Sequence, residues 1–164
     1  MSEKLVGVPE EQNPARAIYG TILVMAVIAA LAHDESITSA ELIAGVAATT
    51  IVFWIAHVYA EVLGNRLHED NPMNWANAWS AIQHEWPIVQ AAVPLVLALG
   101  LGVVGILDTD SAVNVAIGVG ILELFLWGLT VGRKLGLSLT ATIAAGVVNG
   151  ALGVAIAGLK VLVH

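Results

Sequence analysis

The chain has 164 residues, of which 58% are hydrophobic and only 12% are charged, and its mean hydropathy is +0.85. A soluble domain of this length needs more charge to face water, so the composition predicts a membrane protein. The net charge of −7 is spread over segment ends without a basic patch, which argues against nucleic acid as a partner. The lack of cysteine excludes disulfides and thiolate metal sites.

The apolar residues come in blocks that approach the ~20 residues needed to cross a ~30 Å hydrocarbon core as a helix. Strand alternation is absent, and backbone groups in lipid must be hydrogen-bonded within the protein. The sequence therefore predicts an all-α, polytopic membrane helical bundle with five transmembrane helices. We expect a tail over residues 1–14 and a single transmembrane domain over 15–164, with spans at about 15–33, 38–64, 86–107, 110–133 and 138–162.

Cap and turn residues mark the ends of these spans. The segment Thr38-Ser39-Ala40-Glu41 has the pattern of a capping box, and Asp110-Ser111 and Ser138 are candidate caps of the last two helices. The acidic tail is unlike the start of a secretory signal, so we interpret the first block as a retained membrane helix. Ala30-Leu31-Ala32 resembles a cleavage site, which leaves a cleaved signal peptide as the alternative.

A tryptophan stripe lies between the second and third spans. Trp75, Trp79, Ile82 and Trp86 follow one another at i, i+4, i+7 and i+11. This spacing predicts a short amphipathic helix that starts at Asn71-Pro72 and lies in the membrane interface, after which Pro87 bends the chain into the third span. The alternative is that the tryptophans pack on the bundle.

The basic residues predict the orientation of the chain. With five spans, one side receives only Lys160, and the other receives Lys4, Arg16, Arg66, Arg133 and Lys134. Because lysine and arginine accumulate on the cytoplasmic side, we expect a multi-pass protein of the cell (plasma or inner) membrane. The N-terminus is then cytoplasmic and the C-terminus outside.

Several polar residues fall inside the predicted spans, where each is a candidate functional group. At ~1.5 Å per residue, Glu123 lies roughly 20 Å below the outer surface, and His57 and Asn149 lie roughly 10 and 16 Å above the inner surface. Glu61 and Gln90 lie closer to the cytoplasmic mouth. Burial disfavours the charged forms of carboxyl and imidazole alike, so Glu123 and His57 could exchange a proton near neutral pH. Alternatively, Glu123 is protonated and only hydrogen-bonded to Asn149 or Thr130, and Glu61 snorkels to the surface.

Two further patterns concern helix packing and metals. Gly146, Gly150 and Gly153 form a ridge of small residues on the fifth span, where helix backbones can approach closely around Asn149. His57 and Glu61 share a helix face at i, i+4, but two ligands at this spacing are a weak metal signal, even with His84-Glu85 added. We therefore predict no metal and no cofactor.

Three segments, "VFWIAHVYA" (52–60), "HEWPIVQAA" (84–92) and "LFLWGLTVGRKLG" (124–136), resemble a group of small bacterial multi-pass membrane proteins. The resemblance implies a multi-pass membrane fold and, because that group has no assigned activity, transfers no catalytic residue.

Two hypotheses for function follow from the polar groups. The first is a small proton- or cation-conducting protein that uses Glu123, His57, Glu61, Asn149 and Gln90. Five helices without a clear inverted repeat favour a homo-oligomer in this case, with the lipid bilayer as the other partner. The second is a structural or accessory membrane protein whose polar residues only stabilise helix packing. No recognisable catalytic set is present, so an enzyme is not expected.

Overall fold

The computed structural model describes residues 14–34, 36–68 and 75–163, and these residues form five helices joined by short connections. The helices are α1 (Pro14–Leu31), α2 (Ser39–His68), α3 (Trp75–Val103), α4 (Thr109–Lys134) and α5 (Leu139–Val163). All five are long and apolar enough to cross a membrane, and no described residue is in a strand. The predicted all-α bundle of five membrane helices is confirmed, and the chain is a multi-pass membrane protein.

The prediction of a separate interfacial helix between the second and third spans is wrong. Trp75 is the first residue of α3, which continues through Pro87 and Pro94 to Val103 as one helix of 29 residues. A proline removes one backbone hydrogen bond, but packing on both sides of Pro87 holds the helix together, since Ala81 and Ile88 are fully buried.

Helix α3 is longer than the hydrocarbon core is thick. At ~1.5 Å per residue, 29 residues span about 43 Å, against ~30 Å of hydrocarbon. Trp75, Trp79 and Trp86 are all exposed, at 76%, 51% and 47%, and Trp86 also packs edge-on with Trp54, with ring centroids 5.9 Å apart. The expected start of the interfacial helix at Asn71-Pro72 lies outside the described residues.

Local hydrogen bonds explain where the helices begin. Thr38 and Glu41 form the predicted capping box, because the Thr38 backbone N–H donates to the Glu41 carboxylate (2.9 Å) and the Glu41 N–H donates to the Thr38 hydroxyl (3.3 Å). The cap of α4 is Asp108 rather than the predicted Asp110-Ser111, since Asp108 accepts from the Ser111 N–H at 2.9 Å.

Glycines in the left-handed conformation end two helices. Gly105 (φ +75°) follows α3 and Gly136 (φ +65°) follows α4. In both turns the next residue donates its N–H to a carbonyl five residues back, from Ile106 to Leu101 and from Leu137 to Gly132. The first of these turns ends α3 at Val103, four residues before the predicted end of that span.

The buried apolar core lies in one half of the bundle. It joins the last turns of α1, the first turns of α2 and α4 and the last turns of α3, and its largest fully buried members are Val24, Met25, Ile28, Leu42, Val46, Leu95, Leu99, Val113 and Leu124. Helix α1 contacts all four other helices. The opposite half of the bundle, where α1 and α3 begin, holds the polar groups described next.

Candidate functional site

Four ionisable side chains from three helices meet where α1 and α3 begin and α2 ends. The guanidinium of Arg16 lies 3.1 Å from the Glu61 carboxylate and 2.8 Å from the Glu85 carboxylate. Its third nitrogen is 3.2 Å from His84 Nε2, and the other ring nitrogen of His84 is 2.7 Å from Glu61 Oε1. We call Arg16, Glu61, His84 and Glu85 the Arg16 cluster.

The charges of the Arg16 cluster balance only when it holds an additional proton. Two carboxylates face a single guanidinium, and His84 Nε2 accepts from that same guanidinium, so one negative charge remains unless a carboxyl is protonated. Glu85 is almost completely buried, and its Oε2 has no hydrogen-bond partner among the residues that the structure describes. The extra carboxyl makes the cluster a candidate site for a proton at this end of the bundle.

Glu123 lies in the middle of α4 beside a small cavity. The cavity has a volume of about 150 Å³ and is lined by Ala17, Pro87, Gln90, Ala91, Glu123 and Trp127. Glu123 Oε1 is 3.4 Å from the indole nitrogen of Trp127, and Glu123 Oε2 is buried with no hydrogen-bond partner among the described residues. Within the ranges 14–34, 36–68 and 75–163, no basic side chain forms an ion pair with Glu123.

The Glu123 cavity and the Arg16 cluster use neighbouring stretches of two helices. The lining residue Ala17 follows Arg16 in α1, and Pro87 stands two residues after Glu85 in α3. One turn before Glu123, α4 packs closely on α1, because a Cβ built on Gly120 would lie 2.6 Å from the side chain of Met25.

The five predicted polar residues do not all lie at one site in the structure. Glu123 and Gln90 line the same cavity, and Glu61 belongs to the Arg16 cluster. His57 Nδ1 lies 2.8 Å from the Phe53 carbonyl of its own helix, and its ring lies 5.1 Å from that of Tyr19.

Asn149 likewise bonds within its own helix, since its side-chain amide donates to the Ala145 carbonyl at 3.0 Å. His57 therefore contacts Phe53 and Tyr19, whereas Glu123 contacts Trp127.

The glycine ridge of α5 lies against α4 at two of its three positions. A Cβ on Gly146 would lie 2.9 Å from Leu129, and one on Gly153 would lie 3.0 Å from Ile121, whereas Gly150 has ordinary spacing of 3.6 Å to Phe125. The closest backbone approach involves Gly128 of α4, which the sequence reasoning missed. A Cβ there would lie 2.5 Å from the Ala145 carbonyl oxygen.

Sequence reasoning also missed the Arg16 cluster as a unit. Arg16 was used only for orientation, and His84-Glu85 was weighed only as a metal ligand pair. Counting residues from the helix ends could have found them, because all four residues lie toward the same end of the bundle.

No group of three or more described His, Asp or Glu side chains converges tightly enough to hold a metal ion. The fold defines the class of protein, a polytopic helical membrane protein. The partly buried carboxyl of Glu123 is the candidate ionisable group inside this bundle. Comparisons with protein families, with curated proteins and with solved structures find no match for this chain.

Proposed function

We propose that this protein binds and transfers protons or cations within the membrane, with Glu123 as the buried exchanging group. The observation that carries the proposal is the Glu123 carboxyl, which lines a cavity and has one buried oxygen with no hydrogen-bond partner in the described part of the chain. An ionised carboxylate at membrane depth costs several kcal/mol, so it must gain a proton or a bound cation. Glu123 is therefore a group that changes occupancy as the concentration of protons or cations changes.

The Arg16 cluster supplies the entrance in this proposal. It needs one added proton for neutrality, and its residues Arg16 and Glu85 stand within two positions of Ala17 and Pro87, which line the Glu123 cavity. Gln90 lines that cavity and can orient a water or a cation beside the carboxyl, since an amide both donates and accepts hydrogen bonds.

The closed half of the bundle supports gated transfer rather than an open pore. Met25 fills the space next to Gly120, and the apolar core continues from there to the far ends of α1 and α3. Release to the far side would require α1 and α4 to separate at this contact. The excess of lysine and arginine near the Arg16 cluster supports a cytoplasmic position for that end, in the cell membrane.

A structural or accessory role is the second candidate, and specific contacts favour it. His57 and Asn149 hydrogen-bond to their own helices, and Arg16 joins α1 to both α2 and α3. If this role is the whole function, replacing Glu123 changes stability without changing transport.

Proton flux into liposomes tests the proposal. We expect purified wild-type protein to give a pH-driven flux that Glu123→Gln reduces to the rate of protein-free liposomes. Asp110→Asn is the matched control, because it removes an exposed carboxyl from the first turn of the same helix. Equal flux in wild type and Glu123→Gln would contradict the proposal and favour the structural role.

A further inference from the structure

Glu123 also lines a second, larger cavity on the outside of the bundle. This α3/α4 groove has a volume of about 420 Å³ and is lined by Pro94, Val119, Leu122, Glu123, Leu126, Trp127 and Thr130. Leu122 and Leu126 are 56% and 51% exposed, so in a membrane the groove opens toward lipid. Its volume lies in the range of about 300–1,000 Å³ that is typical of small-molecule sites.

The groove and the Glu123 cavity meet at two side chains. Glu123 and Trp127 line both spaces, so they separate the lipid-facing groove from the polar cavity beside the Arg16 cluster. A ligand in the groove and a proton that arrives from the Arg16 cluster would therefore reach the same carboxyl.

The polar groups that line the groove are almost all hydrogen-bond acceptors. Glu123 is its only ionisable lining residue, and the Thr130 hydroxyl donates to the Leu126 carbonyl of its own helix at 2.9 Å. Pro94 has no N–H to donate to the carbonyl of Gln90, which frees an additional acceptor nearby. The remaining lining is aliphatic, apart from the indole of Trp127.

This lining discriminates among ligand classes. An anion would be repelled by Glu123, and a hydrated metal ion would find too few oxygen ligands among aliphatic walls. A neutral apolar molecule would leave the Glu123 carboxylate without compensation. A cation that carries apolar substituents matches both parts of the groove, because an indole face also attracts cations.

We propose that the α3/α4 groove binds a lipophilic organic cation, such as a quaternary ammonium or phosphonium, with its charge at Glu123 and Trp127. Its apolar substituents would lie against Val119, Leu122 and Leu126. The proposal rests on the proposed function, because the cation and the proton compete for one carboxyl. It extends that function by naming the class of the transported or sensed molecule.

Competition with protons can be assigned to Glu123 because its immediate neighbours do not titrate. The facing residues are Ala17 and Thr21 from α1 and Pro87, Gln90 and Ala91 from α3. The helices packed against α4 carry further described ionisable side chains, which are Arg16, Tyr19, Glu41, His57, Tyr59, Glu61, His84, Glu85 and Lys160. None of them lines the Glu123 cavity or the groove.

The test is equilibrium binding of methyltriphenylphosphonium to the purified full chain in detergent, with neutral triphenylphosphine oxide as the uncharged analogue. We expect saturable binding of the cation that weakens as the pH falls, since protonated Glu123 no longer attracts it. Glu123→Gln should weaken binding at least about tenfold, and Trp127→Leu about 2- to 30-fold. The neutral analogue should bind wild type and Glu123→Gln alike.

Leu126→Trp keeps the experiment informative if Glu123→Gln fails to fold. It fills the groove and leaves Glu123 in place, so cation binding should be lost while proton flux persists. Asp110→Asn should retain cation binding. Circular dichroism establishes that each variant is helical.

The outcomes separate the two proposals. Failure of the cation to bind wild-type protein that still carries Glu123-dependent proton flux overturns the cation site and leaves the proton function standing. Equal binding of the cation and the neutral analogue, or pH-independent binding, also overturns it. If proton flux is absent while the cation binds at Glu123, the proton function fails and the cation site stands.

Discussion

Replacing Arg16 with glutamine should destabilise the bundle by an amount that depends on pH. The Arg16 guanidinium lies 2.8 Å from Glu85, whose side chain is only 5% exposed, and 3.1 Å from Glu61, which is 20% exposed. In the variant, Glu61 keeps His84 at 2.7 Å, but Glu85 loses the only ion-pair partner found for it in the described part of the chain. The buried carboxylate of Glu85 therefore dominates the effect.

Two considerations set the size of the stability loss in Arg16→Gln. Removing one partner of a buried ion pair costs about 3–5 kcal/mol. Because a buried ion pair adds little net stability of its own, the loss is close to the free energy of protonating the stranded carboxyl, which for an ordinary glutamate pKa of about 4.3 is about 3.7 kcal/mol at pH 7 and about 1 kcal/mol at pH 5. We therefore expect Arg16→Gln to lose about 3–4 kcal/mol at pH 7 and about 1 kcal/mol at pH 5.

Unfolding in mixed micelles, followed by far-UV circular dichroism at both pH values, measures these losses. The double variant Arg16→Gln/Glu85→Gln should recover most of the stability at pH 7, because no buried charge is left unpaired. Arg133→Gln, at the exposed end of α4, is the matched control and should be nearly neutral. A loss that is equal at pH 7 and pH 5, or that the double variant does not recover, would refute the assignment to Glu85.

Two further predictions concern helix contacts and caps. Gly128→Ala should lower stability by about 1–3 kcal/mol in the same unfolding assay, because its Cβ would lie 2.5 Å from the Ala145 carbonyl; Gly118→Ala, with open space, should not. The Ser111 N–H and hydroxyl hold the pKa of Asp108 below its ordinary 3.8, so the cap stabilises α4 above that pH and is lost as the pH falls through the lowered value. Thermal melts of Asp108→Ala should show less acid destabilisation than wild type; equal acid sensitivity would contradict this.

Much of the fold could be predicted because lipid leaves few alternatives to helices. Composition and block length identify five spans, and the capping box at Thr38 correctly predicts where the second helix begins. The error came at Pro87, where a local rule suggested a break. Packing of Ala81 and Ile88 carries α3 through that point, and such packing is not visible in a single segment.

The candidate site could be predicted only in part. Depth along each helix can be counted from the sequence, and Glu123 and Gln90 do line one cavity. The rotation of each helix about its axis depends on its neighbours, which is why the expected partnership of His57 with Glu123 does not describe the contacts observed. His57 lies instead against Tyr19 and the Phe53 carbonyl.

The central claim is that Glu123 changes its protonation state inside the folded bundle. Infrared difference spectra of the protein in liposomes, recorded as the external pH is stepped, measure this directly. Beyond the bands that the other carboxyls give in every variant, we expect one carboxylic-acid band that appears on acidification in wild type, is missing in Glu123→Gln and persists in Asp110→Asn. The same band in wild type and Glu123→Gln would contradict the claim, because the titrating group would then be another carboxyl.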